Sequence, residues 1–146
     1  MNYKEISIEN ITLPNRPLSN FEIIDAVKAL KIKIFRGVYC RNELPSKPKV
    51  NECGKIDLDS SDNKGSHWVC YFKKGKTKIY CDSYGLISPQ EVVNYLKQPI
   101  YYQSEQIQPL NTTCCGHICL YILNELSKDK SKDIKLTFQK IINSLY

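Results

Sequence analysis

Cys115, followed at once by Gly116, is where residue types and spacing in this chain most plainly allow chemistry. The polar stretch Gln108-Pro109-Leu110-Asn111-Thr112-Thr113 runs into Cys114-Cys115-Gly116-His117-Ile118-Cys119, where an apolar helical pattern begins. A thiol in the first turn of a helix meets backbone N–H groups without partners and the positive end of the helix dipole. Such surroundings favour thiolate, the nucleophilic form of cysteine. Gln108 carries a side-chain N–H donor that can bend back toward the same point. Further upstream stand His67, a base, and Asp82, a carboxylate. A cysteine, an imidazole, a carboxylate and an amide donor are the parts of thiol-dependent acyl transfer.

Each of these residues alone has a plainer reading. A histidine at a strand start is commonly structural, and an aspartate beside Ser83 and Gly85 is commonly a turn former. Gln108 alone is a solvated loop residue. A cysteine on an apolar helix or strand is usually core, and that reading suits Cys70, Cys81 and Cys119. The position before Gly116 favours Cys115 over Cys114 as the reactive thiol. Cys114 is then a spectator or a partner for a regulatory disulfide. A zinc site built from Cys114, Cys115, His117, Cys119 and Cys53 is disfavoured, because no Cys-x-x-Cys pair occurs and adjacent helical cysteines do not converge on one ion. His117 lies about 200° around the helix from Cys115 and is not placed to be its base.

The elements that must position these groups follow from periodicity and punctuation. Residues 1–18, with Pro14 and Pro17, read as an extended arm. Ser19 and Glu22 form a capping box, and Phe21, Ile24, Val27 and Leu30 follow at helical spacing, predicting a helix over 20–32. Residues 35–40 read as a short strand, broken by Pro45-Ser46-Lys47-Pro48. Residues 54–66, rich in Asp, Ser, Asn and Gly, read as a polar loop. Residues 67–72 and 77–82 alternate and form a hairpin, with Trp68, Cys70 and Phe72 on one face. A turn centred between Lys74 and Gly75, as a two-residue turn or a four-residue loop, sets His67 opposite Asp82 with Cβ atoms about 4.5–5.5 Å apart. A one-residue slip would send Asp82 to the other face. Ser88-Pro89-Gln90-Glu91 starts a helix over 89–97, with proline at the first helical position and a second capping box. Residues 100–102 and 105–107 read as one strand or two short pieces. A central helix over 114–126 and a last helix from Leu136-Thr137, with its stripe of Phe138, Ile141, Ile142 and Leu145, complete the chain.

Composition bounds the rest. The 146 residues are expected to form one domain, 1–146, with a core that folds without staples. Hydrophobic content of 42% and charged content of 25% are ordinary for a soluble globular protein. No apolar run approaches the ~20 residues needed to cross a membrane. Met1-Asn2-Tyr3-Lys4-Glu5 lacks the apolar stretch of a signal peptide. The seven cysteines, odd in number and without a regular framework, point to reduced thiols in an intracellular compartment. The net charge of +6 is mostly lysine. Lysine gives diffuse attraction to phosphate rather than bidentate reading, so a solvated lysine-rich surface is favoured over useful non-specific DNA binding.

The constellation resembles the adenovirus-type, adenain-like cysteine proteases, part of the wider clan that includes the ubiquitin-like-modifier proteases. The matching segments are Gly65-Ser66-His67-Trp68-Val69, Tyr80-Cys81-Asp82-Ser83-Tyr84-Gly85, and Gln108 ahead of Cys115-Gly116. The order His, Asp, Gln, Cys matches too. Phe35-Arg36-Gly37-Val38, Leu44-Pro45 and Glu52-Cys53-Gly54 further resemble the compact proteases of Polinton/Maverick transposons and virophages. The resemblance covers residues 19–126. It implies an α+β fold in which a central helix bearing the nucleophile packs on a mixed sheet bearing the histidine and the acid. By it, Cys115 is the nucleophile and His67 its base. Asp82 orients His67, while Gln108 and the Cys115 backbone N–H hold the oxyanion. Trp68 packs beside the histidine. No cofactor or metal is implied. The implied substrates are viral or transposon capsid and core precursors, cut during virion maturation after Gly-containing sites, in the virion and infected host cell. Non-specific DNA and an activating peptide are candidate further partners, and no membrane is. Two other classes compete. One is a protease of ubiquitin-like modifiers; the other is a non-catalytic binding module on the same fold.

Overall fold

The computed structural model describes residues 5–59, 67–108, 112–131 and 133–145. Most of the expected 54–66 loop and the segment 109–111 before Cys115 lie outside the described residues.

Residues 5–14 form a hairpin, β1 (Glu5–Ile8) and β2 (Ile11–Pro14), where an extended arm was expected. The alternation that builds it is present in Ile6, Ile8, Ile11 and Leu13. Ile8 and Leu13 are buried in the main core, while Pro14 is harmless at the strand end. Helix α1 (Asn20–Leu30) has its capping box: the Ser19 hydroxyl accepts from the Glu22 N–H, and the Glu22 carboxylate accepts from the Ser19 N–H. Strand β3 (Phe35–Cys40) follows, then a single 3₁₀ turn at Arg41–Glu43.

Strand β4 (Asn51–Asp57) is the main departure from expectation, since residues 54–57 read as loop. It lies inside a five-stranded mixed sheet of order β3-β4-β5-β6-β7, with β5 Trp68–Lys74, β6 Thr77–Cys81 and β7 Tyr101–Tyr102. β4 runs parallel to β3 and antiparallel to β5, while β6 runs parallel to β7. Its charges are tolerated because other elements satisfy them. The Glu52 carboxylate takes the Tyr71 hydroxyl at 2.5 Å, the Tyr95 hydroxyl at 2.8 Å and the Lys49 N–H at 2.5 Å. Arg36 Nη1 stands 3.1 Å from the same group. Burial opposes ionisation of Glu52, yet these donors hold its pKa below the usual carboxylate value. Lys55, on the other face, donates to the Gly116 carbonyl at 2.6 Å.

The β5–β6 hairpin also differs from expectation. Lys74 pairs with Thr77, so Gly75-Lys76 is a two-residue turn. Gly75, with φ of +60°, takes the first central position, as a type II′ turn demands. The slip relative to the expected register is even, so each side chain keeps its face.

Helix α2 (Gln90–Leu96) starts with Pro89 as its cap and without a side-chain cap bond. Ser88, expected to cap, instead bonds the Tyr102 hydroxyl at 2.8 Å. Helix α3 (Cys115–Lys128) carries the Cys115-Gly116 pair, and α4 (Ile134–Leu145) closes the chain. The last helix starts earlier than expected, with the Asp133 carboxylate accepting the Leu136 N–H at 3.1 Å. One face of the sheet, with Cys53, Cys70, Phe72, Ile79 and Cys81, packs on α1, α3 and α4. The other, with Ile56, Val69, Tyr71 and Tyr80, packs on α2. Helix α3 lies along β5, where Leu120, Leu123 and Ile122 are sealed from water. Each such side chain contributes about 1.5–3 kcal/mol by burial. The fold is α+β, as expected. No described helix is long and apolar enough to cross a membrane.

Candidate active site

The hairpin ends and the start of α3 meet at one rim of the sheet. His67 immediately precedes β5, Asp82 immediately follows β6, and Cys115 is the first residue of α3. These three and Gln108 all line or adjoin one cleft of about 420 Å³, and Cys115, His67 and Gln108 face it directly.

His67 Nε2 lies 2.8 Å from Asp82 Oδ1. The turn after β6 explains both this contact and a second one. The pairing ends at Cys70 and Cys81, without setting Asp82 directly opposite His67, and the chain turns over residues 82–85. Asp82 reaches the imidazole from the start of that turn. Tyr84, within the turn, stacks on the imidazole, with ring centroids 4.7 Å apart and planes inclined by 17°. Asp82 Oδ1 also accepts the Tyr84 N–H at 2.8 Å, so one oxygen fixes both rings. The turn is closed by the Gly85 N–H bonding the Asp82 carbonyl at 2.8 Å. Gly85 has φ of +80°, and a Cβ there would sit 2.8 Å from the Ser104 carbonyl oxygen. Only glycine fits that turn.

Cys115 and His67 line the same cleft, and because Nε2 is engaged by Asp82, Nδ1 is the nitrogen left to face the sulfur. The Trp68 backbone N–H donates to Cys115 Sγ at 3.5 Å. Burial works to raise the thiol pKa. The His67 and Trp68 bonds, and the charges on His67 and Lys55, together bring it below the ordinary value. For His67, burial opposes protonation, but the bonds to Asp82 and Cys115 lift its pKa to about 10. The two shifts point the same way, toward a thiolate–imidazolium pair. Cys114 faces the core rather than the cleft, and its Sγ reaches the Thr112 hydroxyl at 3.6 Å. This separates the two adjacent cysteines in favour of Cys115.

Gln108 is 1% exposed and held from several sides. Its Nε2 donates to the Thr112 carbonyl at 3.0 Å, and its Oε1 accepts from the Ser83 hydroxyl. The Ser83 carbonyl in turn accepts the N–H groups of Ile107 and Gln108 at 2.9 and 3.0 Å. Ser83 thereby links the segment carrying the acid to the segment carrying the amide, and fixes which end of the amide presents N–H. Sequence reasoning missed this role, as it missed the Trp68 N–H; the one available signal was that Ser83 directly follows Asp82. Trp68 does pack beside the site, with its indole N–H donating to the Leu18 carbonyl at 3.1 Å.

Among the described residues lining the cleft, Glu43 and Asp57 are acidic and none is Lys or Arg. No group of three or more His, Cys, Asp and Glu side chains among the described residues is arranged to hold a metal ion. No family model and no curated protein matches the chain.

Proposed function

We propose that this chain is a cysteine endopeptidase. The observation that carries the reading is that Cys115, His67 and Gln108 line one cleft, with Asp82 bonded to His67 behind it. In this reading His67 holds the thiol proton and the Cys115 thiolate attacks the scissile carbonyl carbon. The carbonyl π pair moves to oxygen, where the Cys115 backbone N–H and the second N–H of Gln108 receive it. The C–N bond then breaks, the imidazolium protonates the leaving amine, and a thioester remains on Cys115. Water, deprotonated by His67, attacks the thioester and returns the thiolate. Asp82 keeps the ring oriented and stabilises its charge throughout.

The resemblance of the His67, Asp82 and Cys115 segments to adenain-like proteases supports capsid and core precursors as substrates, cut during virion maturation. The test is incubation with the structural precursors encoded beside this chain, with new termini mapped by mass spectrometry and Cys115→Ala as control. Discrete new termini are expected. Cleavage of a ubiquitin-like fusion with the precursors left intact would instead select the modifier-protease class. With a cleaved precursor in hand, Gln108→Ala is expected to lower kcat by ~10²–10³-fold with little change in KM. A loss confined to KM in steady-state assays would remove Gln108 from the oxyanion role.

A further inference from the structure

Strand β4 carries a lysine sealed beneath the nucleophile helix, and the steps above make no use of it. Lys55 is 0% exposed. Its Nζ donates to the Gly116 carbonyl at 2.6 Å and stands 5.9 Å from the centroid of the Trp68 ring. Gly116 is the residue after Cys115, so the ammonium sits at the first turn of α3. The packing is close enough to explain the glycine: a Cβ there would lie 3.3 Å from Trp68 Cδ1 and 3.4 Å from both Leu18 Cδ1 and Lys55 Nζ.

A buried ammonium without an opposing charge is costly, and buried lysines commonly give up the proton instead. Burial does lower the Lys55 pKa, but the sulfurs of Cys119, Cys70 and Cys115 act to raise it. Those three sulfurs differ. Cys119 is pushed well up by burial and by its bond with Cys70. Cys70 gains some relief from Cys119, yet its bond with Cys81 and its burial push it well up too. Both are thiols. Cys115 alone of the three is held below its ordinary value, so of the three it is the one shifted toward the anion. The remaining titratable groups on this side do not compete. His117 of α3 is tied through Nε2 to the Pro14 carbonyl at 2.7 Å, and burial lowers its pKa, with Lys55 adding to the effect. Glu22 of α1 acts on His117. Asp57, farther along the same face of β4, accepts the Asp59 N–H at 3.0 Å. His67, ahead of β5, is committed to Asp82 and Cys115.

We propose that Lys55 is a positioning residue for the nucleophile: its ammonium, bonded to the Gly116 carbonyl under the first turn of α3, is the fixed counter-charge that stabilises the Cys115 thiolate. The proposal rests on the reading of Cys115 as the nucleophile. It adds a full charge to the partial charge of the helix N-terminus, and does so from the side of the sulfur away from the substrate.

The test is the pH dependence of Cys115 alkylation by iodoacetamide, followed by peptide mass spectrometry, in wild type, Lys55→Met and Lys55→Gln. Wild type is expected to show an acid limb below the ordinary thiol range. In both variants that limb moves up by about one unit, a tenfold slower reaction at a given pH along it. Glutamine can still donate to the Gly116 carbonyl but carries no charge. A Lys55→Gln limb that coincides with wild type, in a protein with native circular dichroism, overturns the proposal. A wild-type Cys115 that alkylates only in the ordinary thiol range overturns the nucleophile reading beneath it. A second measurement leaves Lys55 in place and guards against variants that do not fold. The Lys55 Cε resonance is expected to titrate at lower pH in Cys115→Ala than in wild type, and identical titrations overturn the proposal.

Discussion

Cys115→Ala abolishes precursor cleavage and the low-pH alkylation of this protein while far-UV circular dichroism stays native. That is the expected result, with a fall in kcat/KM of roughly 10⁴-fold or more, because Cys40, the other described thiol lining the cleft, has its pKa pushed up to about 11, chiefly by burial, and is not activated as a nucleophile. The size follows from the geometry. Cys115 Sγ receives the Trp68 N–H at 3.5 Å and faces the same cleft as His67, and the sulfur of Cys114 is turned into the core. The substitution removes one small side chain at a helix start, so the packing of Leu120, Ile122 and Leu123 below it is untouched. Activity retained in the alanine variant would pass the nucleophile role to Cys114 or discard the mechanism. Cleavage assays on purified variants, with label mapping at both cysteines, decide between these.

The second large effect concerns the imidazole. His67→Ala is expected to lower kcat/KM by ~10²–10⁴-fold, the range for loss of a general acid–base. Asp82→Asn is expected to cost less and to change the shape of the pH profile. The reactive pair needs a thiolate and an imidazolium together. It therefore exists above the lowered Cys115 pKa and below the raised His67 pKa, giving a broad bell whose basic limb lies near 10. Burial alone would depress His67; the Asp82 bond is the foremost of the interactions that raise it. Without the carboxylate the basic limb moves down toward the ordinary imidazole range. Stability follows the same sign. The folded His67 pKa of about 10 exceeds the ordinary imidazole value of 6.5, so its stabilising contribution is complete below pH 6.5 and is lost as pH rises through 10. A kcat/KM profile of Asp82→Asn with an unmoved basic limb would show that another group sets the imidazole's charge.

Local signals carried much of this fold. The Ser19/Glu22 capping box and the apolar stripe behind it announce α1, and both cap bonds form. Residues 35–40 and the 3.6-residue pattern after Cys115 are equally local. What escaped reading depends on partners far along the chain. Strand β4 looks like a loop because Glu52, Lys55 and Asp57 are charged. Tyr71, Tyr95 and Arg36 accommodate the first, and the Gly116 carbonyl the second. The hairpin turn was misplaced because Lys74 and Lys76 flank Gly75 symmetrically in composition; the positive φ of Gly75 decides the centre. The site behaves likewise. His67, Asp82, Gln108 and Cys115 are legible from residue type and order; the structure brings His67, Gln108 and Cys115 to one cleft, with Asp82 bonded to His67. Ser83, the Trp68 N–H and Lys55 are not, since a serine, a backbone group and a lysine in a polar stretch carry no distinguishing mark.

Strand β4 places a carboxylate and an ammonium on opposite faces of one sheet, each sealed at 0% exposure. This makes the strand a polarised key. Sliding it by one residue against β5 would thrust the lysine among the phenols of Tyr71 and Tyr95 and turn the carboxylate toward the buried cysteine sulfurs. Both groups would then lose their partners in a single step, and stranding the Glu52 carboxylate without Arg36 alone costs about 3–5 kcal/mol. Apolar residues in the same places would tolerate either alignment. The price of two interior charges is thus also what makes mispairing of this sheet self-defeating, with the groove's chemistry fixed to the correct alignment.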